Sequence, residues 1–492
     1  MRTLDKITSG THRLKRILIW FLIIWLGLVL LMNLGFLAYS RGILYLVPAF
    51  LFFCGLNCLK FYNPINDLQW IFFLFILSFF TKLIVSLLIQ TSAISDFKVM
   101  NDAAISFSQQ DYTFSQSTYF TRWAYQTGYV SYAGIVYQLF GENQLVLKAL
   151  NCLFMAGVNV MVYLMAKRIA SEKAARFMAI LYLCYPANLF LTPVLTNQHL
   201  SLFLLYLGIN IYLKYPQRAW GLVCAGMVTA LSKVIRPDAI IFIASVLFVG
   251  FFDCMQKIKD KANLFLSIKR VACFILAYAL MLNMVSGLVK VSGINPNGLE
   301  NKDPLWKFVV GLNHNTYGVF SEADYDRYFK IENDELRKDE ELKAIKSRVF
   351  NIKLPVTFIV KQGLLWADFE DTYWGFHQLY SYDNEASKLS LPPGSLLEAF
   401  RRFDKGYYIL ILGMLGVSLY SLLKKKREEE SMSLAVLLFV ILFFVFVSVY
   451  TLIEVQVRYR YLIMPILFVL AAMGYDKVGG RFPFKKRSSM KH

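Results

Sequence analysis

Residues 17–39 read ILIWFLIIWLGLVLLMNLGFLAY, without one charged side chain, directly after Arg2, Lys6, Arg13, Lys15 and Arg16. About 20 apolar residues in a helix cross a hydrocarbon layer of about 30 Å, and flanking Lys and Arg stay on the cytosolic side. The run is longer than the apolar core of a signal peptide and no small-residue cleavage site follows it. It is therefore expected to remain as a first transmembrane helix.

The rest of the chain agrees. Its 492 residues are 57% hydrophobic and 17% charged, with mean hydropathy +0.48 and 42 Phe. A soluble chain carries nearer a quarter charged residues, so this composition excludes disorder, a secreted disulfide scaffold and a cytosolic enzyme. Further apolar runs at 43–59, 70–90, 149–166, 177–194, 198–213, 219–232, 239–252, 271–289, 407–423, 432–453 and 461–474 predict about twelve spans. The fold class expected is an all-α polytopic membrane protein whose outer-face loops contain short helices. Its parts are a transmembrane region at 1–290 with a first large loop at 91–148, a second large loop at 291–405, and C-terminal helices with a basic tail at 406–492.

The net charge of +19 is spread over chain ends and short loops, while 292–405 holds 15 Lys and Arg against 18 Asp and Glu. That is a topology signal and points away from nucleic acid. The loops at 60–69, 167–176, 214–218, 256–270 and 424–430 and the tail after 476 all carry Lys or Arg. Both termini are accordingly assigned to the cytosol and both large loops to the extracytoplasmic face. Two basic clusters break the rule, Lys233 with Arg236 and Arg458 with Arg460, and so are candidates for another task, although lipid headgroups also attract such residues. Asp334 to Phe350 reads as a surface helix with an Asp339 to Lys343 attraction. Lys424 to Glu430 reads as a solvated turn.

The seven cysteines lie in or beside apolar runs, and no spacing supports a disulfide framework, a zinc site or a divalent metal. Glycine-rich phosphate loops are absent, which argues against a nucleotide-driven pump. What remains is Ser95-Asp96 after the third span, the outer arginines, His199 at the head of a span, and many aromatics, among them Trp306, Trp366, Tyr373 and Trp374. Ser95 and Asp96 suit a helix N-terminus, with Ser95 as cap. Asp96 equally suits a base toward a bound hydroxyl. Guanidinium groups suit phosphate, aromatic faces suit sugar rings, and a lone interfacial His199 is either hydrogen-bonded or a helper. Glu454 is placed to neutralise Arg458 and Arg460, and no cofactor is called for.

These residues resemble the GT-C membrane glycosyltransferases, in particular bacterial glycosyltransferase family 39. The resemblance rests on Ser95-Asp96-Phe97, Tyr119 to Gly128, Leu139-Phe140-Gly141, Tyr185-Pro186, Ile235-Arg236-Pro237-Asp238, Val309 to Asn313, and Gln456 to Tyr461, over about residues 70 to 475. It implies a GT-C-like bundle and a sugar carried on polyprenyl phosphate. Asp96 would be the base, with Arg236, Arg458, Arg460, Tyr459, His199, Arg122 and Gln126 binding substrate or phosphate. The acceptor would be a glycan, glycolipid or protein of the cell envelope, reached with inversion at the sugar carbon. Asn197-Gln198-His199 stands where relatives often place a second acid. The alternative reading is a transporter or flippase of lipid-linked glycans or another anionic substrate, and a non-catalytic assembly scaffold is a third.

Overall fold

A computed structural model describes residues 2–58, 66–89, 91, 93–368, 394–424 and 432–479. Tyr373, Trp374, His377 and most of the turn expected after Lys424 lie outside these residues. All regular structure among them is helical, and the one β-bridge joins Trp123 to Asn301. The chain opens with α1 (Arg2–Tyr39), α2 (Leu46–Cys58) and α3 (Asp67–Leu88). Then come α4 (Ser95–Ser108), α5 (Thr118–Arg122), α6 (Thr127–Phe140), α7 (Gln144–Lys167), α8 (Glu172–Cys184) and α9 (Pro186–Leu191). After these lie α10 (Gln198–Lys214), α11 (Ala219–Ile235), α12 (Ile240–Gln256) and α13 (Lys261–Val291). Four shorter helices follow: α14 (Trp306–Gly311), α15 (Glu322–Asp324), α16 (Asp334–Val349) and α17 (Leu354–Trp366). The last three are α18 (Gly394–Lys424), α19 (Leu434–Leu452) and α20 (Met464–Gly479).

Seven helical stretches among the described residues are long and apolar enough to cross a membrane: Arg13–Tyr39, Asp67–Leu88, Gln144–Lys167, Pro237–Gln256, Lys261–Val291, Glu398–Lys424 and Leu434–Leu452. The other five expected spans are helical but shorter. One of them, at 177–194, is two helices, because Tyr185 is extended (φ −64°, ψ 117°) and Pro186 opens α9. A proline forces the residue before it out of the helical region and itself sits well in a first turn.

Helix α3 starts at a capping box, in which Asn66 Oδ1 accepts from the Gln69 amide at 2.9 Å and the Gln69 side chain accepts from the Asn66 amide at 3.3 Å. Helices α10, α11 and α13 pack in series, α20 packs on α18, α8 and α7, and α12 lies on α19. Helix α19 is the core element, with most of its side chains buried, whereas α13 exposes Leu276, Leu280, Met284 and Leu288 along one face. That i, i+4 stripe is the lipid-facing pattern of a peripheral span.

The loops expected on one side of the membrane do meet at one end of the bundle. Lys167 pairs with Asp67, and the Ser171 amide donates to Asp476 at 2.6 Å. At the other end Thr91 Oγ1 donates to the Pro193 carbonyl at 2.8 Å, and Lys148 Nζ to the Thr91 carbonyl at 2.7 Å. There the two large loops form one cap. The Lys302 amide donates to the Arg122 carbonyl at 2.9 Å, and Trp306, Val309, Val310, Tyr328 and Ala344 make a second small core. Helix α16 is where the sequence placed it, with Asn333 as its cap; Lys343 pairs with Glu340 at 2.8 Å and is attracted by Asp339 more weakly. Its inner face buries Arg337 and Glu341.

Candidate functional site

The site forms where four connections converge: the start of α4, the α5–α6 turn, the α11–α12 turn at Arg236-Pro237-Asp238, and the α19–α20 connection. Two glycines permit the approach. A Cβ on Gly311 would lie 2.4 Å from the Leu452 carbonyl oxygen, and one on Gly128 would lie 1.9 Å from that of Val234. Contacts that close admit no side chain, which gives a physical reason for the glycines of both stretches quoted above.

Asp96 stands exposed in the first turn of α4 and forms no hydrogen bond or ion pair with a described residue. Ser95 is not its helix's cap. Ile94 takes that position, without a side-chain hydrogen bond, and Ser95 has φ +48°. A left-handed serine is uncommon and costs on the order of 1 kcal/mol, so the backbone entering Asp96 is held by its surroundings.

Arg458 lies beside it. Its guanidinium covers the Phe97 ring at 4.6 Å, its Nε donates to Gln456 Oε1 at 2.7 Å, and its carbonyl accepts from Gln198 Nε2 at 3.1 Å. Burial draws this guanidinium below its ordinary value, Arg236 adds to the depression, and Tyr459, Asp96 and Glu454 oppose it. A further anion beside a buried guanidinium favours its charged form.

Arg236 forms an ion pair with Asp238 and donates to Asn197 Oδ1 at 2.9 Å. Burial alone would lower its pKa, but Asp238 and the neighbouring tyrosines outweigh that and raise it. Tyr459 is the hub. Its ring has Arg236 at 5.5 Å, Lys307 at 5.7 Å and Arg458 at 5.8 Å. Lys307 pairs with Glu454, so that acid forms its ion pair with a lysine 147 residues away, while it also acts electrostatically on Arg458. Gln126 bridges Asn197 and Tyr119. Tyr125 is pushed up to about 12 by burial and remains a phenol.

Three expected site residues have other engagements. Arg460 is 2% exposed and donates to the carbonyls of Trp366 at 3.0 Å and Asp368 at 3.1 Å, capping α17. Lys405 reinforces that cap, donating to the Asp368 carbonyl at 3.3 Å and to Asn33 Oδ1 at 3.0 Å. His199 is buried between the Tyr461 hydroxyl and the Val194 carbonyl, each at 3.2 Å. A carbonyl only accepts, so Nε2 carries the proton, and Nδ1 faces a Tyr461 hydroxyl that also reaches Asn188 Oδ1 at 3.4 Å. Arg122 turns into the cap, donating to the Ile331 carbonyl at 2.9 Å and stacking on Phe329 at 4.1 Å.

Residues that the sequence reading passed over are Lys307, Asn197 as a ligand of Arg236, and Tyr119. Tyr119 and Asn197 fall in stretches already quoted, so their positions carried a signal. Lys307 carried none, being one lysine in a long charged segment.

Beside Arg458 a cavity of about 390 Å³ is lined by Val319, Leu364, Asp368, Gln456 and Val457. A second, apolar groove of about 480 Å³ runs between α1 and α17 along Met32, Phe36, Val360 and Gly363. Leu364 and Asp368 line both. A charged end thus adjoins an apolar trough, which suits a ligand with an anionic head and a hydrocarbon tail. Among the described residues no group of three His, Cys, Asp or Glu stands close enough to hold a metal ion. No protein-family model matches the chain, and no characterised protein matches its sequence.

Proposed function

We propose that the protein is a membrane glycosyltransferase of the GT-C type, moving a sugar from a polyprenyl-phosphate donor to an acceptor hydroxyl at the extracytoplasmic face of a bacterial cell envelope. The same proposal includes about twelve crossings and cytosolic termini. The observation that carries it is the juxtaposition of the guanidinium of Arg458 with the exposed carboxylate of Asp96 and with a cavity that adjoins an apolar groove. Asp96 takes the proton of the acceptor hydroxyl as its oxygen attacks the anomeric carbon. The bond from that carbon to the phosphate oxygen breaks, and the lipid phosphate leaves with its charge stabilised by Arg458 and Arg236. One carboxylate on the attacking face corresponds to inversion.

The test is to incubate the purified protein with a panel of polyprenyl-phosphate sugars and an envelope glycan acceptor, and to measure release of free polyprenyl phosphate. Release that depends on the acceptor supports the reading. Movement of intact lipid-linked sugar across vesicles, with no release, would replace it with a transporter.

A further inference from the structure

One hydrogen-bond chain in the site has a direction that follows from its donors and acceptors alone. Arg236 carries only donors, so the atom of Asn197 that meets its terminal nitrogen at 2.9 Å is the carbonyl oxygen. Asn197 therefore turns its amide nitrogen toward Gln126, at 3.1 Å, and Gln126 must answer with its carbonyl oxygen. The Gln126 amide nitrogen is then left to donate to the Tyr119 hydroxyl oxygen, at 3.3 Å. Neither amide can be flipped without placing two donors or two acceptors face to face. The phenol oxygen accepts, so its own proton points away from Gln126, and among the described residues no acceptor receives it.

The surroundings of that proton are those of the site. Asp96, Lys307 and Arg458 all act electrostatically on Tyr119, and its ring is held by Phe120 at 5.1 Å and Trp123 at 5.2 Å. Burial first, and then the Asp96 charge, hold the hydroxyl well above its ordinary pKa, so it remains a donor at neutral pH. A chain that begins at a guanidinium polarises each successive bond and makes the last O–H a stronger donor.

We propose that Tyr119 is a further anion-contacting residue of this site, donating its hydroxyl proton to a phosphate oxygen of an anionic lipid headgroup. Asn197 and Gln126 are positioning residues that fix the direction of that proton. The assignment rests on the reading of the site given under Proposed function. It adds a neutral donor to the charges supplied by Arg236 and Arg458.

The test uses the purified full-length protein in detergent, with geranyl phosphate and geraniol as probes and calorimetry as readout. Wild type is expected to bind the phosphate much more tightly than the alcohol. Equal binding, or none, would remove the anionic-lipid reading itself. Given that preference, Tyr119→Phe keeps the ring contacts and is expected to weaken phosphate binding about ten- to a hundredfold, as for a hydrogen bond to a charged group. Unchanged affinity overturns the role of Tyr119 and leaves the reading standing.

Gln126→Glu tests the positioning. Its carboxylate accepts from Asn197 and from Tyr119 together, so the phenol proton turns away from the headgroup. Affinity is expected to fall in the wild-type background and to fall no further on top of Tyr119→Phe. Additive losses would mean that the new charge acts directly, and the chain would have no part. Gln126→Met removes the donor without adding charge and gives a measure that does not depend on how Tyr119→Phe folds. A several-fold loss is expected, and none overturns the role of the chain.

Discussion

The guanidinium of Arg458 lies 4.6 Å above the ring of Phe97, which places it one residue along α4 from the carboxylate of Asp96. A carboxylate and a guanidinium thus stand close enough to interact although 362 positions separate them in the chain. Apart from the test of Tyr119, the structure leads to five expectations.

Asp96→Asn keeps the size of the side chain and removes the base. Sugar transfer is expected to fall about 10²- to 10⁴-fold while binding of the donor lipid is largely kept. Single-turnover rates beside binding isotherms separate the two, and near-normal transfer would reduce Asp96 to an element of its helix terminus.

Arg458 and Arg460 are two residues apart and are expected to behave differently. Arg458→Gln should weaken both donor binding and turnover, with Lys restoring only part because it lacks the guanidinium fork. Arg460→Gln removes the guanidinium from the Trp366 and Asp368 carbonyls, which keep only Asn33 at 3.1 Å and Lys405 at 3.3 Å, and should lower the unfolding temperature more than turnover per folded molecule. Reversal of these two patterns would exchange their roles.

His199 is expected to be structural. With both ring nitrogens engaged by Tyr461 and Val194, His199→Phe should destabilise by about 1–3 kcal/mol through the groups left unpaired. The pH profile of the remaining activity should match that of wild type, and loss of one limb of that profile would make the histidine an acid or base of the reaction.

Stability should fall as pH rises from weakly acidic to above neutral. Burial raises the Glu341 carboxyl well above the usual carboxylate range, Asp303 beside it adds to the rise, and Arg337 and Arg122 oppose it. Burial and the neighbouring Asp303 favour the protonated form of Glu341, and the folded cap therefore binds more protons than the unfolded chain. The stabilisation is complete below the ordinary carboxylate pKa and is lost as pH climbs through the raised folded value. Glu341→Gln, a permanent donor to Asp303, is expected to flatten the unfolding temperature between pH 5 and 9. A wild-type profile that is already flat would show that Glu341 is not held protonated.

Topology is tested by cysteine labelling. The cysteines at described positions are all free, so they can be replaced without breaking a disulfide. Asn301→Cys and Lys173→Cys lie in exposed segments at opposite ends of the bundle. Only Asn301→Cys is expected to react with an impermeant thiol reagent on intact cells, and labelling of Lys173→Cys alone would invert the orientation.

Much of this protein was legible in its residues. Hydropathy and helical periodicity are local properties, so the helices lie close to the apolar runs, and the alternation of basic loops anticipated which loops share an end. Pro186 already marked a break that the hydropathy count passed over, because a window average does not register one residue's missing amide. The convergence of Asp96 with Arg236 and Arg458 was anticipated only as a shared surface.

What no local pattern contains is the choice among charged partners. Lys307 takes Glu454, Asn197 takes Arg236, and Arg460 turns inward to the carbonyls that end α17. Each choice depends on which helix ends the packed bundle brings within about 3 Å, and the carbonyls at a buried helix end are acceptors that draw a guanidinium inward. The sequence by itself determined the helices, their alternation and the types of groups at one end. The tertiary structure decided which of those groups stay at the cavity and which turn inward, since burial and the supply of nearby acceptors are properties of the assembled bundle.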